Sequence, residues 1–192
     1  MHTSRLARLA VASLVVLAAL TTSALAGPKP VPQTEPGAPL DPRTYAPASA
    51  PFLEVHATGF QNYVCQATGT WLFSDPVATL YEPAKADKPA GSHFLNFASG
   101  RPVWGFKDGS SVEAARTAAA PGGAGNIAEL LLQAVVTTAG PDGDRLARTT
   151  WVQRLNPSGG VAPAGACTPG DTAAVPYSTD YVFWSAAGKL AG

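Results

Sequence analysis

An all-β fold, an antiparallel sandwich or a small barrel with one short helix, is predicted by three observations. Short runs of β-compatible residues recur along most of the chain, each bounded by Gly, Pro, Asn or Asp. Charged residues make up only 14% of the chain while Gly and Pro number 19 and 18, which favours turns over long Glu-, Lys- and Leu-rich helices. Asp108-Gly109 and Asp142-Gly143 stand between such runs, as hairpin turns do.

The elements follow in chain order. Arg5 and Arg8 precede an apolar run from Leu9 to Leu20, and Ala24-Leu25-Ala26 ends the stretch with small residues around a cleavage point. The run is about twelve residues long, short of the roughly twenty a bilayer span needs. A signal peptide over 1–26 is therefore expected, with a mature chain from Gly27. Residues 27–51 carry Pro28, Pro30, Pro32, Pro36, Pro39, Pro42, Pro47 and Pro51. Proline this dense removes backbone donors and keeps a chain extended, so a disordered spacer is expected there. A single β-rich domain is expected over 52–186, with a tail at 187–192.

Within that domain, strands are expected at Phe52–His56, Gln61–Gln66, Thr70–Phe73, Val77–Tyr81 and His93–Phe97. Pro102–Phe106 leads into the Asp108-Gly109 turn. A second hairpin joins Leu131–Thr137 to Leu146–Leu155 through Pro141–Asp144. Alternation along its second arm puts Arg148, Thr150, Val152 and Arg154 on one face, and Ala147, Thr149, Trp151, Gln153 and Leu155 on the other. Tyr177–Trp184 is the last strand. The short helix is expected over 127–131 behind a capping Asn126. Glu113–Ala120 is helix-compatible but has no apolar stripe.

Several function classes are disfavoured. Loss of Arg5 and Arg8 leaves a mature net charge of about −2, which offers nothing to nucleic acid or an anionic membrane surface. No second apolar stretch is long enough to span a membrane. Cys65 and Cys167 are the two cysteines; in an exported chain an even pair is most simply a disulfide, closing a loop of about 100 residues. His56 and His93 lack metal-ligand spacing, so neither a metal nor a cofactor is expected. Gly123-Ala124-Gly125-Asn126-Ile127-Ala128 imitates a dinucleotide fingerprint, but no buried strand precedes it and too few residues follow for a βαβ unit.

Candidate chemistry is sparse. His93, Asp108 and Ser110 form the densest cluster, which reads as a nucleophile arrangement or as two turn residues beside a packed histidine. Asp180 lies in the final aromatic strand and is either a solvent-face residue or a buried carboxylate of perturbed pKa. A carboxylate pair for glycoside hydrolysis would draw on Glu54, Asp75, Glu82, Asp108, Glu129 and Asp180, with nothing to select two of them. Trp71, Trp104, Trp151 and Tyr181, with Trp184, are core or rim residues of a β-domain, or else a platform for a sugar ring or apolar ligand.

An ordered set of short motifs runs from Gly59 to Trp184: Tyr63-Val64-Cys65; Trp71 with Pro76 and Leu80; Gly91-Ser92-His93; Pro102-Val103-Trp104 with Asp108-Gly109-Ser110. It continues through Ile127 with Leu130-Leu131-Leu132, Gln153-Arg154, Gly159-Gly160-Val161-Ala162-Pro163 with Cys167, and Val175-Pro176-Tyr177 with Asp180-Tyr181. This set resembles a family of secreted bacterial and fungal proteins known as domain of unknown function 3455. The chain departs from the family pattern at Arg101 and at Ala128-Glu129, where the family tends to have Gly-Pro and Pro-Trp steps. The resemblance implies an extracellular β-rich domain with Cys65 paired to Cys167, and no established activity. Fungal members often carry the label malate dehydrogenase, yet this chain is too short and turn-rich to build the cofactor fold such an enzyme needs. The resulting expectation is a binding or envelope-associated module for a glycan, an envelope polymer or a small apolar ligand. The alternatives are a secreted hydrolase using His93 with Asp108 or Ser110 or a carboxylate pair, and a purely structural envelope protein.

Overall fold

The structure, a computed structural model, describes residues 38–187. The expected signal peptide, the first part of the Pro-rich spacer and the last five residues lie outside the described residues. Eight strands follow one another: β1 (Ser49–Cys65), β2 (Trp71–Tyr81), β3 (Pro89–Asn96), β4 (Arg101–Phe106), β5 (Ser111–Ala120), β6 (Glu129–Thr138), β7 (Trp151–Gly159) and β8 (Thr172–Ala186). Each pairs antiparallel with the next, and β8 returns to β1 from Ser49↔Ala186 to Val64↔Thr172. That last pairing makes the sheet a closed barrel and removes every edge.

The strands are fewer and longer than the sequence runs suggest. Gly59 does not end a strand: it faces Ala78 in the middle of β1, and a Cβ there would collide with the Val77 carbonyl. Glycine thus admits a close approach of β1 and β2 where the barrel wall bends. Pro51 and Pro157 lie at register shifts, where a missing N–H costs no ladder bond. Asn156, within the β7 shift, takes the left-handed φ of 50° that the bulge requires.

The expected helix does not form. Glu113–Ala120 belongs to β5 and Glu129–Leu131 opens β6, with Leu131 against Ala118 and Leu132 against Arg116. Held in the β5–β6 ladder, with Leu130 and Leu131 also paired to β7, these residues gain more from ladder hydrogen bonds and burial than from an isolated helical turn. Two 3-10 turns, Pro42–Thr44 and Pro83–Lys85, are the helical elements among the described residues. The Asp108-Gly109 hairpin forms as expected between β4 and β5, with Gly109 at φ 80°. The second hairpin also forms, but β7 starts at Trp151, and residues 139–150 fold instead over one end of the barrel.

The barrel interior holds the main core, including Val55, Leu80, Trp104, Val112, Leu132, Val152, Tyr181 and Phe183. Leu146, fully buried, comes from the 139–150 segment and plugs one end. A second core lies outside the wall, where Leu40 packs with Leu131, Trp151, Leu155, Val182 and Trp184. This corrects the spacer expected over 27–51, because its residues 38–51 are built into the fold. Gln153 Nε2 donates to the Leu40 carbonyl at 2.6 Å, and the Asp41 carboxylate accepts from Arg43 N at 2.8 Å to cap the first 3-10 turn. Proline density bars regular ladders, but it does not stop an extended segment from docking a leucine between two tryptophans.

Candidate ligand-binding site

Strand alternation decides which polar side chains enter the barrel. In β8, Tyr177, Thr179, Tyr181 and Phe183 are buried, with Tyr177, Tyr181 and Phe183 in the interior core. In β7, Arg154 stands opposite Tyr181, two residues beyond the buried Val152. In β1, Gln61 is two residues past Gly59, which faces Tyr177, so Gln61 and Tyr177 are diagonal neighbours. His93 and Trp104 face each other across β3 and β4. Their rings stack at 4.6 Å, and the Tyr181 ring meets them at 5.1 Å from each.

Beside this cluster the barrel opens. A cavity of about 640 Å³ is walled by apolar side chains such as Phe73, Leu95, Ile127, Leu130 and Leu132, with Gln61 and Arg154 among its lining. Its volume falls within the range of small-molecule sites, and eight strands leave a barrel just wide enough for one such ligand. The rim is held in place. Cys65 at the end of β1 is bonded to Cys167, and the Tyr63 hydroxyl donates to the Gly160 carbonyl at 2.6 Å. These two links fix the loop that brings Val161 and Ala162 to the mouth.

Four polar atoms in this interior are buried without a hydrogen-bond partner: Gln61 Nε2, Trp104 Nε1, Tyr177 Oη and Tyr181 Oη. Burial pushes both tyrosine hydroxyls well above their ordinary pKa, and each feels the opposing field of Arg154. Burial drives His93 down to about 3, against a weaker upward pull from its bond to the Val103 carbonyl. His93 is therefore neutral, with Nδ1–H donating to Val103 O at 2.9 Å and Nε2 left as an acceptor.

The sequence candidates scatter. His93, Trp104 and Tyr181 meet inside the barrel. Asp108 and Ser110 sit at the plugged end, where Ser110 Oγ donates to Asp108 Oδ1 at 2.6 Å and accepts from Leu146 N at 3.1 Å. Asp108 also accepts from Ser110 N and Arg145 N. Burial alone would raise its pKa, but these hydrogen bonds hold the carboxyl below the usual range. The pair ties the β4–β5 turn to the plug, and no hydrogen bond links it to His93. Asp180 faces outward, accepting from His56 Nδ1 at 2.8 Å and Asn156 Nδ2 at 3.0 Å. Trp151 lies on the outer wall beneath Tyr45, and Trp71 pairs with Cys65 beside the disulfide. The residues missed by sequence reasoning are Gln61, Tyr177 and Arg154. The signal for Arg154 was its place on the Val152 face of a strand.

A closed up-and-down antiparallel barrel, plugged at one end and open at the other onto a mostly apolar cavity that also takes in Gln61 and Arg154, is the class of protein that fold and site define. The chain belongs to the DUF3455 family, described as proteins of unknown function, which it matches over residues 46–185. The match spans all eight strands, and the structure bears out the Cys65–Cys167 bond that the resemblance implied. No curated protein and no solved structure matches the chain.

Proposed function

We propose that this protein acts outside the cytoplasm as a binding barrel that takes one small, largely apolar organic molecule through its open end. The observation that carries the reading is the cavity of about 640 Å³ whose mostly apolar lining includes the unpartnered, buried Gln61 Nε2 and the Arg154 side chain. Apolar walls supply affinity through water release, and a few fixed polar groups orient the ligand. Export is supported by the disulfide, which persists in oxidising compartments, and by the leader pattern of the first twenty-six residues. No helix among the described residues is long and apolar enough to cross a membrane. Gln61 and Arg154 then serve as the polar groups of the site, backed by Tyr181, which pairs with Arg154 across β7 and β8, and by Trp104 packed on Tyr181.

Titration of the protein with Nile red, a neutral apolar dye, tests the proposal. Saturable binding of one dye per chain is expected, weakened at least tenfold by Ala128→Trp or Ala162→Trp, which fill the mouth. Absence of saturable binding, or binding indifferent to both substitutions, would refute it. Mass measurement of the exported protein should give an N-terminus at Gly27.

A further inference from the structure

The charges around the cavity are one-sided. Arg101, Arg116 and Arg154 line it, and among the described residues no Asp or Glu does. Arg101 is offset by Glu113 at 3.4 Å and stands at the exposed rim. Neither Arg116 nor Arg154 forms an ion pair among the described residues. Arg116 is exposed at the mouth, where water screens it. Arg154 is the half-buried one, and its Nε donates to the Ala128 carbonyl at 2.9 Å, which anchors the guanidinium and leaves its Nη groups to the interior. Its field reaches Tyr63, His93, Tyr177 and Tyr181, which places it centrally in the barrel.

A chain with almost no net charge thus concentrates cations around one apolar chamber. Gln61, only 3% exposed, lines the same chamber as Arg154 and has its Nε2 unpartnered. An unmet buried donor and an unpaired, half-buried cation are each unfavourable alone. One group satisfies them together: a planar acceptor of single negative charge, which a guanidinium fork grips with two parallel bonds.

Resting on the binding reading above, we infer that the ligand is an amphipathic organic carboxylate, its acid head on Arg154 with a donor from Gln61, and its apolar body toward the mouth. The count of charges selects a monoanion. Arg101 is already paired and Arg116 is in water, so a single half-buried cation remains to be matched. A dianionic phosphate head would carry its second charge into apolar surroundings uncompensated.

The test compares dodecanoate, dodecanol and dodecyltrimethylammonium by displacement of Nile red from the wild-type protein and from Arg154→Met. Dodecanoate should bind the wild type at least tenfold more tightly than dodecanol, with the cation weakest. In Arg154→Met the acid and alcohol should bind within about twofold of each other. Equal binding of acid and alcohol to the wild type would overturn the carboxylate assignment and leave the apolar barrel standing. Failure of Nile red and all three amphiphiles to bind would overturn both readings. A preference for the acid that survives in a folded Arg154→Met would also overturn the assignment. The wild-type comparison decides the ligand class even where that variant does not fold.

Discussion

Replacing His93 by glutamine keeps a donor for the Val103 carbonyl and removes the one imidazole that the described residues bury in the barrel core. In the folded chain His93 titrates at about 3 because it is wholly buried, against an ordinary value of 6.5. The unfolded chain therefore takes up a proton near pH 6.5 that the folded chain refuses until about pH 3. A group whose folded pKa lies below its unfolded one in this way, and which is charged when protonated, leaves stability intact above the upper value and lowers it as pH falls between the two. The slope in that window approaches about 1.4 kcal/mol per pH unit, so moving from about pH 7 to about pH 5 should remove about 2 kcal/mol through His93 alone. Urea unfolding followed by tryptophan fluorescence measures this at both pH values. Wild type should lose about 2 kcal/mol more than His93→Gln over the interval. The other groups cancel in the comparison. Asp108 and Glu113, held low by their hydrogen bonds, Glu54, raised by burial and the nearby Asp180, and the outward His56 are present in both proteins. Parallel losses in the two proteins would refute the assignment of a neutral, water-excluded histidine.

Other consequences are equally direct. Asp108→Ala removes three hydrogen bonds at the plugged end and should lower stability by about 2 kcal/mol, as read by urea midpoint. Because the Asp108 pKa is lowered on folding, that contribution is present above the ordinary carboxylate range and fades as pH falls through it. The double variant Cys65→Ser, Cys167→Ser frees a loop spanning 102 residues of sequence, so thermal unfolding should show a loss of about 3–5 kcal/mol. Its Nile red affinity should fall too, since the disulfide holds the rim loop. Leu40→Ala should cost about 2–3 kcal/mol by undoing the outer core, a result that a merely tethered N-terminal segment would not give.

Much of the fold could be read from the chain before its coordinates. The Asp108-Gly109 hairpin, the final aromatic strand and the partner of Cys65 follow from local turn chemistry, alternation and family likeness. Strand lengths did not. Gly59 looks like a break in a one-dimensional pattern, yet it sits inside β1 because barrel closure needs a close approach of β1 and β2 there. The 38–48 segment was likewise hidden, since nothing local says that Leu40 has Trp151 and Trp184 waiting for it.

The candidate site shows the same division. By itself the sequence determined an all-β domain of near-neutral charge, stapled once, with alternating faces in each strand, and it placed Arg154 on the same face as Val152. Only the tertiary structure decided which face points inward, and with it that Arg154 and Gln61 share one chamber and Tyr177 and Tyr181 the packed interior, while Asp180 lies outside and Asp108 with Ser110 closes the far end. The physical reason is that local chemistry acts over a few residues. The pairing of β1 with β8, which turns a meander into a vessel, joins positions more than a hundred residues apart, as His56 and Asp180 are.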